Sequence, residues 1–590
     1  MFTFLSLIRI LMTMEMDMKI IFKILLVGFL SFPAYSQNNP TAPTVKMNVI
    51  FILADDLGWS DCTLYGNTTL YKTPNLERLA KRGMTFSNAH SASPLCSPSR
   101  ASILTGQTPA RTGITNALAG KSDEVLLQPK NAESDGASPK ILPCISANRL
   151  NTNVQTLGKI LKAQGYATAH FGKWHLGNEP YSPYEHGFDE DIPHWPGTGP
   201  AGGYIAPWQF PNFKEKKPNE HIEDRMADEA VEWMSSLDIN KPFYMNFWQF
   251  SVHAPLKAKA NLIDFYRSNI DMTKNQRSPT YAAMVHSMDD AVGKLLDEID
   301  RLGIADRTII VFTSDNGGNI SLRINETTKN GQSYLTAPTD NSPLRGGKGT
   351  IFEGGIRVPC VVVMPGVTAL NKKSDALIQS TDFYPTLLNK LGIPLPVNHI
   401  LDGVDISPAL KGATFNRKPM FTFFPHINGS EDNMPPSIAV TEGDFKLIRQ
   451  FYQGDICGKH EYLLYDLGND IGEKNNLATT QPTKVNKLDA LIENYLSATN
   501  AVVPIPNPRA RACNILSVSE NIFGESRISV FPNPSTDGIF NLSQNSNWKV
   551  TSILGNQILE GNGDIINLQG YPKGIYLIKL GEVINSVVIE

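Results

Sequence analysis

Two pairs of oxygen-bearing side chains, Asp55-Asp56 and Asp315-Asn316, each close an apolar run, "NVIFILA" in one case and "TIIVFTS" in the other. Hard oxygen donors with no accompanying His or Cys cluster suit calcium or magnesium rather than zinc. Acidic residues at strand ends also serve as loop caps, and a single pair would read that way. Two pairs, each ending a buried run, favour a cation. Arg100, Lys173 and Lys348 add positive charge, and His175 and His253 add groups that move protons near neutral pH. Any one of these alone reads as structural or solvated. Together they imply an anionic group in the substrate, with developing charge stabilised electrostatically as in phosphoryl transfer.

The stretch "SPLCSPSRASILTG", Ser93 to Gly106, adds a cysteine. Pro98 suits a first helical turn, where its missing N–H costs nothing, and "RASIL" has helix-forming character. Cys96 is therefore expected at or beside a helix N-terminus, where free N–H groups and the dipole favour negative charge. A reactive thiol, a structural cysteine and a residue made into a different group all remain open on that pattern alone.

The elements that must position these residues alternate in type. "KMNVIFILADDLG" predicts a fully buried strand over Val49–Leu53 of a parallel sheet. "ERLAKRGMTFSNAH" predicts a helix and a short strand, and "VQTLGKILKAQGYATAHFGKWHLG" a helix, a Gly turn and a strand. Ile222, Met226, Trp233 and Leu237 are spaced as an amphipathic helix, followed by the strand "PFYMNFWQF". Tyr281, Met284, Val285, Met288, Val292, Leu295, Leu296 and Ile299 form a second helical stripe before the strand of "RTIIVFTSDNGG". Such alternation predicts an α/β domain over residues 46–380, a large mostly parallel central sheet flanked by helices. Ligands of these sheets gather at the carboxyl ends of the strands. Asp55-Asp56, Lys173 with His175, His253, and Asp315-Asn316 all lie just beyond such ends and are expected to share one edge.

Over residues 381–500 the pattern changes to a smaller antiparallel α+β subdomain. "SIAVTEGDFKLIRQF" and "HEYLLYDL" read as strands, "TDFYPTLLNKLGI" and "VNKLDALIENYLS" as helices. A Pro-rich linker, residues 501–526, leads to 527–590, where alternating apolar and polar residues with Gly and Asn turns predict a small terminal β-sandwich.

A chain of 590 residues is too long for one ordinary domain. Its 41% hydrophobic and 19% charged residues describe a globular protein, and a net charge of −4 gives no nucleic-acid footprint. Lys19 and Lys23 precede "ILLVGFLSFP" and "AYS", so residues 1–36 read as a secretory signal peptide. The part before Met18, where Met12, Met14 and Met16 crowd, reads as an over-extended start. No later run reaches the ~20 apolar residues of a transmembrane helix. Cys62, Cys96, Cys144, Cys360, Cys457 and Cys513 fit no small disulfide framework or zinc spacing, and Cys457 with Cys513 is the expected bridge.

"CSPSRASILTG" resembles the signature of the formylglycine-dependent sulfatases, the type I, arylsulfatase-like branch of the alkaline phosphatase superfamily: Cys-x-Pro-Ser-Arg followed by Leu-Thr-Gly. "ADDLGWSD", "GKWHLG", "HAP", "TSDNGG", "GGKGTIFEGGIRVP" and "LYDLGNDIGEKNNLA" resemble the other blocks of that family in order, over roughly Lys46 to Asn500. The resemblance implies that a formylglycine-generating maturation enzyme oxidises Cys96 to an aldehyde whose hydrate is a gem-diol. One hydroxyl attacks the sulfur of a sulfate ester and the alcohol departs; the second hydroxyl then expels sulfate and restores the aldehyde. It implies one Ca²⁺ held by Asp55, Asp56, Asp315, Asn316 and the modified Cys96. Arg100 would hold the gem-diol, and Lys173 and Lys348 the sulfate oxygens. His175 would assist the nucleophile or the release step, and His253 would give a proton to the leaving oxygen.

"FPNPSTDGIFNL", "LGNQI" and "GYPKGIYLIKL" resemble the C-terminal sorting domain of bacterial type IX secretion. That implies the type IX machinery as a partner and an enzyme released from, or attached to, the cell surface; a carbohydrate-binding sandwich is the other reading. Between Asp191 and Phe213, Trp195, Tyr204 and Trp208 are candidates either to stack on a sugar ring or only to pin a long loop. Arg323 and His426 are further substrate-binding candidates. A surface-exported sulfatase of this kind is expected to act on a marine algal polysaccharide or its oligosaccharides, ulvan first, with carrageenan and fucoidan open. The rival readings are a phosphodiesterase or phosphonate monoester hydrolase of the same superfamily, which usually carries Asp-His where this chain has Asp315-Asn316, and a non-catalytic surface glycan-binding protein.

Overall fold

The computed structural model describes residues 46–117, 124–132, 140–427, 434–454, 458–507, 528, 530–552, 555–581 and 583–589. The expected signal segment 1–36, most of the expected linker, and Cys457 with Cys513, hence the expected bridge, lie outside the described residues. Cys62, Cys96, Cys144 and Cys360 are free thiols, all buried.

Asn48–Ala54 (β1) is buried at every position. Val49, Phe51 and Leu53 join one apolar cluster and Ile50, Ile52 and Ala54 another, because successive side chains of a strand point to opposite faces. At roughly 1.5–3 kcal/mol for each buried Val, Leu, Ile or Phe side chain, such a run is fixed by being covered on both faces. Its companions are Met84–Phe86 (β2), Ala167–Gly172 (β3), Glu190–Ile192 (β4), Phe243–Trp248 (β5), Thr308–Ser314 (β6), Cys360–Val363 (β7) and Lys372–Ser374 (β8). The sheet order is β8-β2-β7-β6-β1-β5-β3-β4. Every pairing is parallel except those of β7 with β6 and with β2, so β7 alone runs against the rest. The mostly parallel sheet is borne out.

Helices Pro74–Ala80 (α1), Ile222–Ser236 (α4) and Pro279–Arg301 (α5) contribute to one cluster, while Cys96–Thr105 (α2) and Leu157–Ala163 (α3) contribute to the other. Phe383–Lys390 (α6) packs with α2 and α3. Met420–Phe424 (β9), Ser437–Glu442 (β10), Phe445–Gln450 (β11) and Glu461–Asp466 (β12) form an antiparallel sheet in sequential order. Val485, Leu488 and Ile492 of Pro482–Thr499 (α7) cover its Ile438, Val440, Leu447 and Leu464.

Residues 501–507, read from their prolines as the start of a linker, pack on the body instead. Ile505 and Pro506 pair with Leu142 and Ile141, and Asn131 Nδ2 donates to Val503 O (2.7 Å). An edge strand accommodates proline, so the composition does not exclude pairing.

Residues 509–590 form a second compact unit. Val530–Phe531 (β13), Ile539–Ser552 (β14), Gln557–Asn567 (β15), Gly574–Leu580 (β16) and Val583–Ile589 (β17) make a five-stranded antiparallel sheet. The strands foreseen as a small sandwich are linked through β14, which pairs with β13, β15 and β16 and encloses its own apolar cluster. No helix among the described residues is long and apolar enough to cross a membrane.

Candidate active site

Four parallel strands deliver polar residues from their carboxyl ends to one edge. Asp55 and Asp56 follow β1, Lys173 and His175 follow β3, His253 lies beyond β5, and Asp315 and Asn316 follow β6. Gly172 (φ 103°) ends β3 where an added Cβ would lie 2.0 Å from Trp248 O, so only glycine lets β3 approach β5 this closely before Lys173 turns inward. Asp56 (φ 63°) and His175 (φ 59°) are left-handed non-glycine residues, a conformation that persists only where surrounding structure enforces it.

The enforcing contacts are explicit. Asp55 N donates to Ser251 O (2.8 Å) and Val252 N to Asp55 O (2.6 Å), which ties the β1 exit to the loop carrying His253. Asp56 N donates to Asp315 Oδ1 (3.2 Å), and Ser97 Oγ donates to His175 O (2.8 Å). Tyr204 OH, fully buried, donates within the same loop to Phe250 O and His253 O.

Helix α2 begins at Cys96 and is buried along its whole length, and Gly106 (φ 67°) closes it with N–H to Ser102 O (2.9 Å). The expected N-terminal position of Cys96 is borne out. One ligand atom from each of Asp55, Cys96 and His253 lies within 4.8 Å of the others, and the same holds for Asp55, Asp56 and Asp315. Arg100, one turn further along α2, faces Asp315 Oδ2 through Nε (2.9 Å) and Nη2 (2.7 Å) and donates from Nη1 to Lys173 O (2.6 Å). Lys173 Nζ donates to Asp55 Oδ2 (2.6 Å) and Lys348 Nζ to Asp56 Oδ2 (2.8 Å). Asn316 Nδ2 donates to Asp56 Oδ1 (2.8 Å), and His253 Nε2 lies 3.8 Å from Asp56 Oδ2. The sequence-selected residues of strand ends, α2 and the Lys348 loop are therefore brought together.

The charges do not balance locally. Burial, with Asp315 and Asp56 beside it, pushes the Asp55 carboxyl upward despite Lys173 and Arg100. Burial would also raise Asp56, but Lys348, His253 and Lys173 carry it well below the usual carboxylate range. Asp55 Oδ1 and Asn316 Oδ1 are buried with no hydrogen-bond partner among the described residues. Leftover hard oxygens beside crowded carboxylates fit a divalent cation, which would take those lone pairs and relieve the repulsion. Burial also pushes the Cys96 thiol up, against Lys173 and Lys348. The helix N-terminus therefore does not make Cys96 a ready thiolate.

The weaker sequence candidates are placed differently. Trp195 is half-buried, with Nε1 donating to Gly199 O (2.8 Å). Trp208 is buried against Phe210 and Phe213, so it and Tyr204 pin the loop. Arg323 is exposed between Asn316 and the hairpin strand Ile324–Thr327, its Nη1 donating to Ile320 O and Leu322 O. His426 is buried against Thr115 Oγ1 (2.8 Å), and burial pushes its pKa down to about 4.

Two supporting groups escaped the sequence reading. Tyr281 OH donates to Asp61 Oδ2 (2.6 Å) and lies 3.4 Å from Asp56 O, and Gly58 N also donates to Asp61. Glu223, in the first turn of α4, accepts from Ser251 N (2.7 Å) and so braces the His253 loop. Asp61 stands within "ADDLGWSD" and was within reach of sequence; Glu223 sits in an ordinary charged helix start and carried no signal.

Comparison with known proteins matches residues 47–393 to the sulfatase family model and 347–500 to the C-terminal model of N-sulphoglucosamine sulphohydrolase. Residues 529–589 match a secretion system C-terminal sorting domain. The chain is 32% identical over 403 residues to the N-acetylgalactosamine-6-sulfatase of Homo sapiens, covering 64% of this chain and 68% of that one. It is 29% identical over 541 residues to a sulfatase of Formosa agariphila, covering 80% and 92%. A solved structure, Ps i-CgsB in complex with k-i-k-neocarrahexaose, is similar at 27% identity with a TM-score of 0.62, covering 76% of this chain and 92% of that one.

Proposed function

The chain belongs to the sulfatase family and is a sulfuric ester hydrolase, and we propose that it desulfates a carbohydrate, a galactose-type sulfate ester of an algal polysaccharide or its oligosaccharides, through a formylglycine made from Cys96. The observation that carries this reading is the placement of Cys96 at the first position of buried α2, grouped with Asp55 and His253 and facing the cations of the same edge. The substrate class is supported by relatives that act on N-acetylgalactosamine sulfate and bind a carrageenan oligosaccharide, since both are galacto-configured. Among the three algal candidates carrageenan therefore leads, and ulvan has no such support.

Asp55, Asp56, Asp315 and Asn316, with the modified Cys96, would hold Ca²⁺, which supplies positive charge and acidifies a bound hydroxyl. As its hydrate, the aldehyde would supply a hydroxyl nucleophile that displaces the alcohol from sulfur and a second hydroxyl whose proton loss would let sulfate depart. Arg100 orients the oxygen at residue 96 while its other edge stays on Asp315. Lys173 and Lys348 neutralise the sulfate oxygens, and the buried ammonium of Lys173 serves this better than a solvated one because the surrounding dielectric is low. His253 Nδ1 donates to Ala254 O, which directs Nε2 toward the centre, where it meets the leaving oxygen. His175, buried at the turn out of β3, assists the nucleophile or the release step. The tail and the signal segment export the enzyme by the type IX route to the cell surface or beyond.

Sulfate released from carrageenan, fucoidan and ulvan oligosaccharides, measured by ion chromatography, tests the reading. The matured enzyme is expected to release sulfate from carrageenan oligosaccharides, and Cys96→Ala to fall to background with an unchanged fold. Undiminished release by that variant would overturn the mechanism.

A further inference from the structure

A cavity of about 240 Å³ opens beside the active site between the chain leaving β3 and the chain leaving β4. These strands are adjacent and parallel, so the cavity lies on the same carboxyl edge as the catalytic centre. Gly177, Asn178 and Glu179 line one side, and Asp191, His194 and Trp195 the other. Trp174, between Lys173 and His175, also lines it. The Trp195 wall touches the catalytic loop through Gly199: Trp195 Nε1 donates to Gly199 O, and a Cβ at Gly199 would lie 3.5 Å from Ala254 O, the acceptor of His253 Nδ1.

The chemistry of the lining differs from that of the centre. Its titratable groups are two carboxylates and one imidazole, with no Lys or Arg among the lining residues. The Asp191 side chain is 2% exposed; its Oδ2 holds His194 Nδ1 at 2.7 Å, while Oδ1 has no partner among the described residues. His194 adopts φ 55°, and its Nε2 lies 3.5 Å from Glu179 Oε1. A buried carboxylate oxygen without a donor is costly unless a ligand hydroxyl supplies one, and an aromatic wall with a few fixed polar groups suits a sugar ring. A ring bearing a sulfate would bring like charge onto Glu179 and Asp191.

We propose that this cavity is the subsite for an uncharged sugar ring next to the ring being desulfated, stacked on Trp195 and donating hydroxyls to Asp191 Oδ1 and Glu179. The proposal rests on the carbohydrate sulfatase reading. It makes Trp195, Asp191, Glu179 and His194 determinants of specificity: the sulfated ring is selected by its neighbour as well as by its own ester.

The test compares sulfate release from κ-neocarratetraose, in which neutral rings alternate with sulfated galactose, and from 4-nitrophenyl sulfate, which has no neighbouring ring. In the matured full-length enzyme, Trp195→Ala and Asp191→Asn are expected to lower kcat/KM for the tetrasaccharide about tenfold or more beyond any loss on the aryl sulfate, chiefly through KM, consistent with losing a stacking or charge-assisted contact. Trp195→Phe is expected to recover most of that selective loss. On ι-neocarratetraose, whose intervening rings are also sulfated, wild type is expected to be slower, and Asp191→Asn with Glu179→Gln to narrow the gap. Equal losses on the tetrasaccharide and the aryl sulfate, or none, would overturn the subsite while leaving the functional reading intact. Hydrolysis of the aryl sulfate with no release from any sulfated oligosaccharide would overturn the functional reading and the subsite with it.

Discussion

Among the described residues, two clusters with fully buried charge invite comparison, and one of them has the makings of a catalytic centre. In the second, Lys446 of β11 bonds Glu353 Oε1 (2.9 Å) and lies 2.9 Å from Glu473 Oε1, while His90 and Arg357 meet Glu353 Oε2 at 2.9 and 3.4 Å. Glu353 N also donates to Glu473 Oε2 (2.6 Å). Lys446, Glu353 and Glu473 are fully buried, as Asp55, Lys173 and Arg100 are. Burial of charge is therefore not what distinguishes the sites. Around Lys446 both carboxylates face cations, and the result is a clasp between the antiparallel subdomain and the Glu353 turn. At the carboxyl edge, three carboxylates and an amide converge, two oxygens are left without donors, and two left-handed residues hold the arrangement. The difference lies in what faces the spare oxygens: Glu473 Oε1 has the Lys446 ammonium at 2.9 Å, whereas Asp55 Oδ1 and Asn316 Oδ1 have no donor among the described residues.

Removing one cation from each cluster sharpens the contrast most. Lys173→Met is expected to lower kcat/KM by about 10²–10³-fold, as for loss of one preorganised charge contact in a transition state. Lys446→Met leaves two buried carboxylates facing each other and is expected to cost about 3–5 kcal/mol of stability, while the folded fraction keeps its kcat. Denaturant titration read beside initial rates separates the two outcomes, and a matching pair of activity losses would erase the distinction.

A smaller effect is expected from calcium. Chelation with EGTA should lower both activity and Tm, and added Ca²⁺ should restore both, because a ligand bound only by the native state stabilises it. Asp56→Asn, which removes one carboxylate of that oxygen set, should blunt the Tm response, and Lys446→Met should leave it unchanged. A Tm indifferent to Ca²⁺ in wild type would remove the cation from the carboxyl edge.

Per residue and per pH unit, the smallest effect concerns histidines packed away from the leftover acceptors. Burial pushes His170 and His221 down to about 3 and His426 to about 4. A depressed histidine stays neutral in the folded chain while its unfolded counterpart takes a proton below about pH 6.5. The unfolded state then binds more protons, so stability is expected to fall as pH drops from about 6.5 toward 4, by up to about 1.4 kcal/mol per pH unit for each group. Melting curves across that range check the sign; a Tm that rises on acidification would contradict it.

The strand ends that build the centre were legible because β1 and β6 carry unbroken apolar runs, residues 49–54 and 309–312, that give way to paired oxygen-bearing residues. The long helices were legible from their spacing. The reversal of β7 was not, since "VPCVVVMP" is equally apolar in either direction and burial on both faces carries no sign of polarity. The Lys446–Glu353 clasp joins residues 93 apart, and a lysine in a strand gives no hint of its partner. The aromatic loop was noticed but only partly sorted: Trp195 borders a cavity, whereas Tyr204 and Trp208 are buried. The Asp191–His194 pair passed unseen because an i, i+3 contact outside a helix leaves no periodic mark.

The most direct test of the carboxyl edge as a sulfatase centre is the chemical state of residue 96. Protein recovered from native secretion is digested, and the peptide containing Cys96 is weighed before and after an aldehyde-specific hydroxylamine tag; tagging is decisive because hydration brings the aldehyde back near the thiol mass. The mechanism proposed here predicts a tagged aldehyde at residue 96 in active material and none in Cys96→Ala. An untagged thiol in material that still releases sulfate would contradict it.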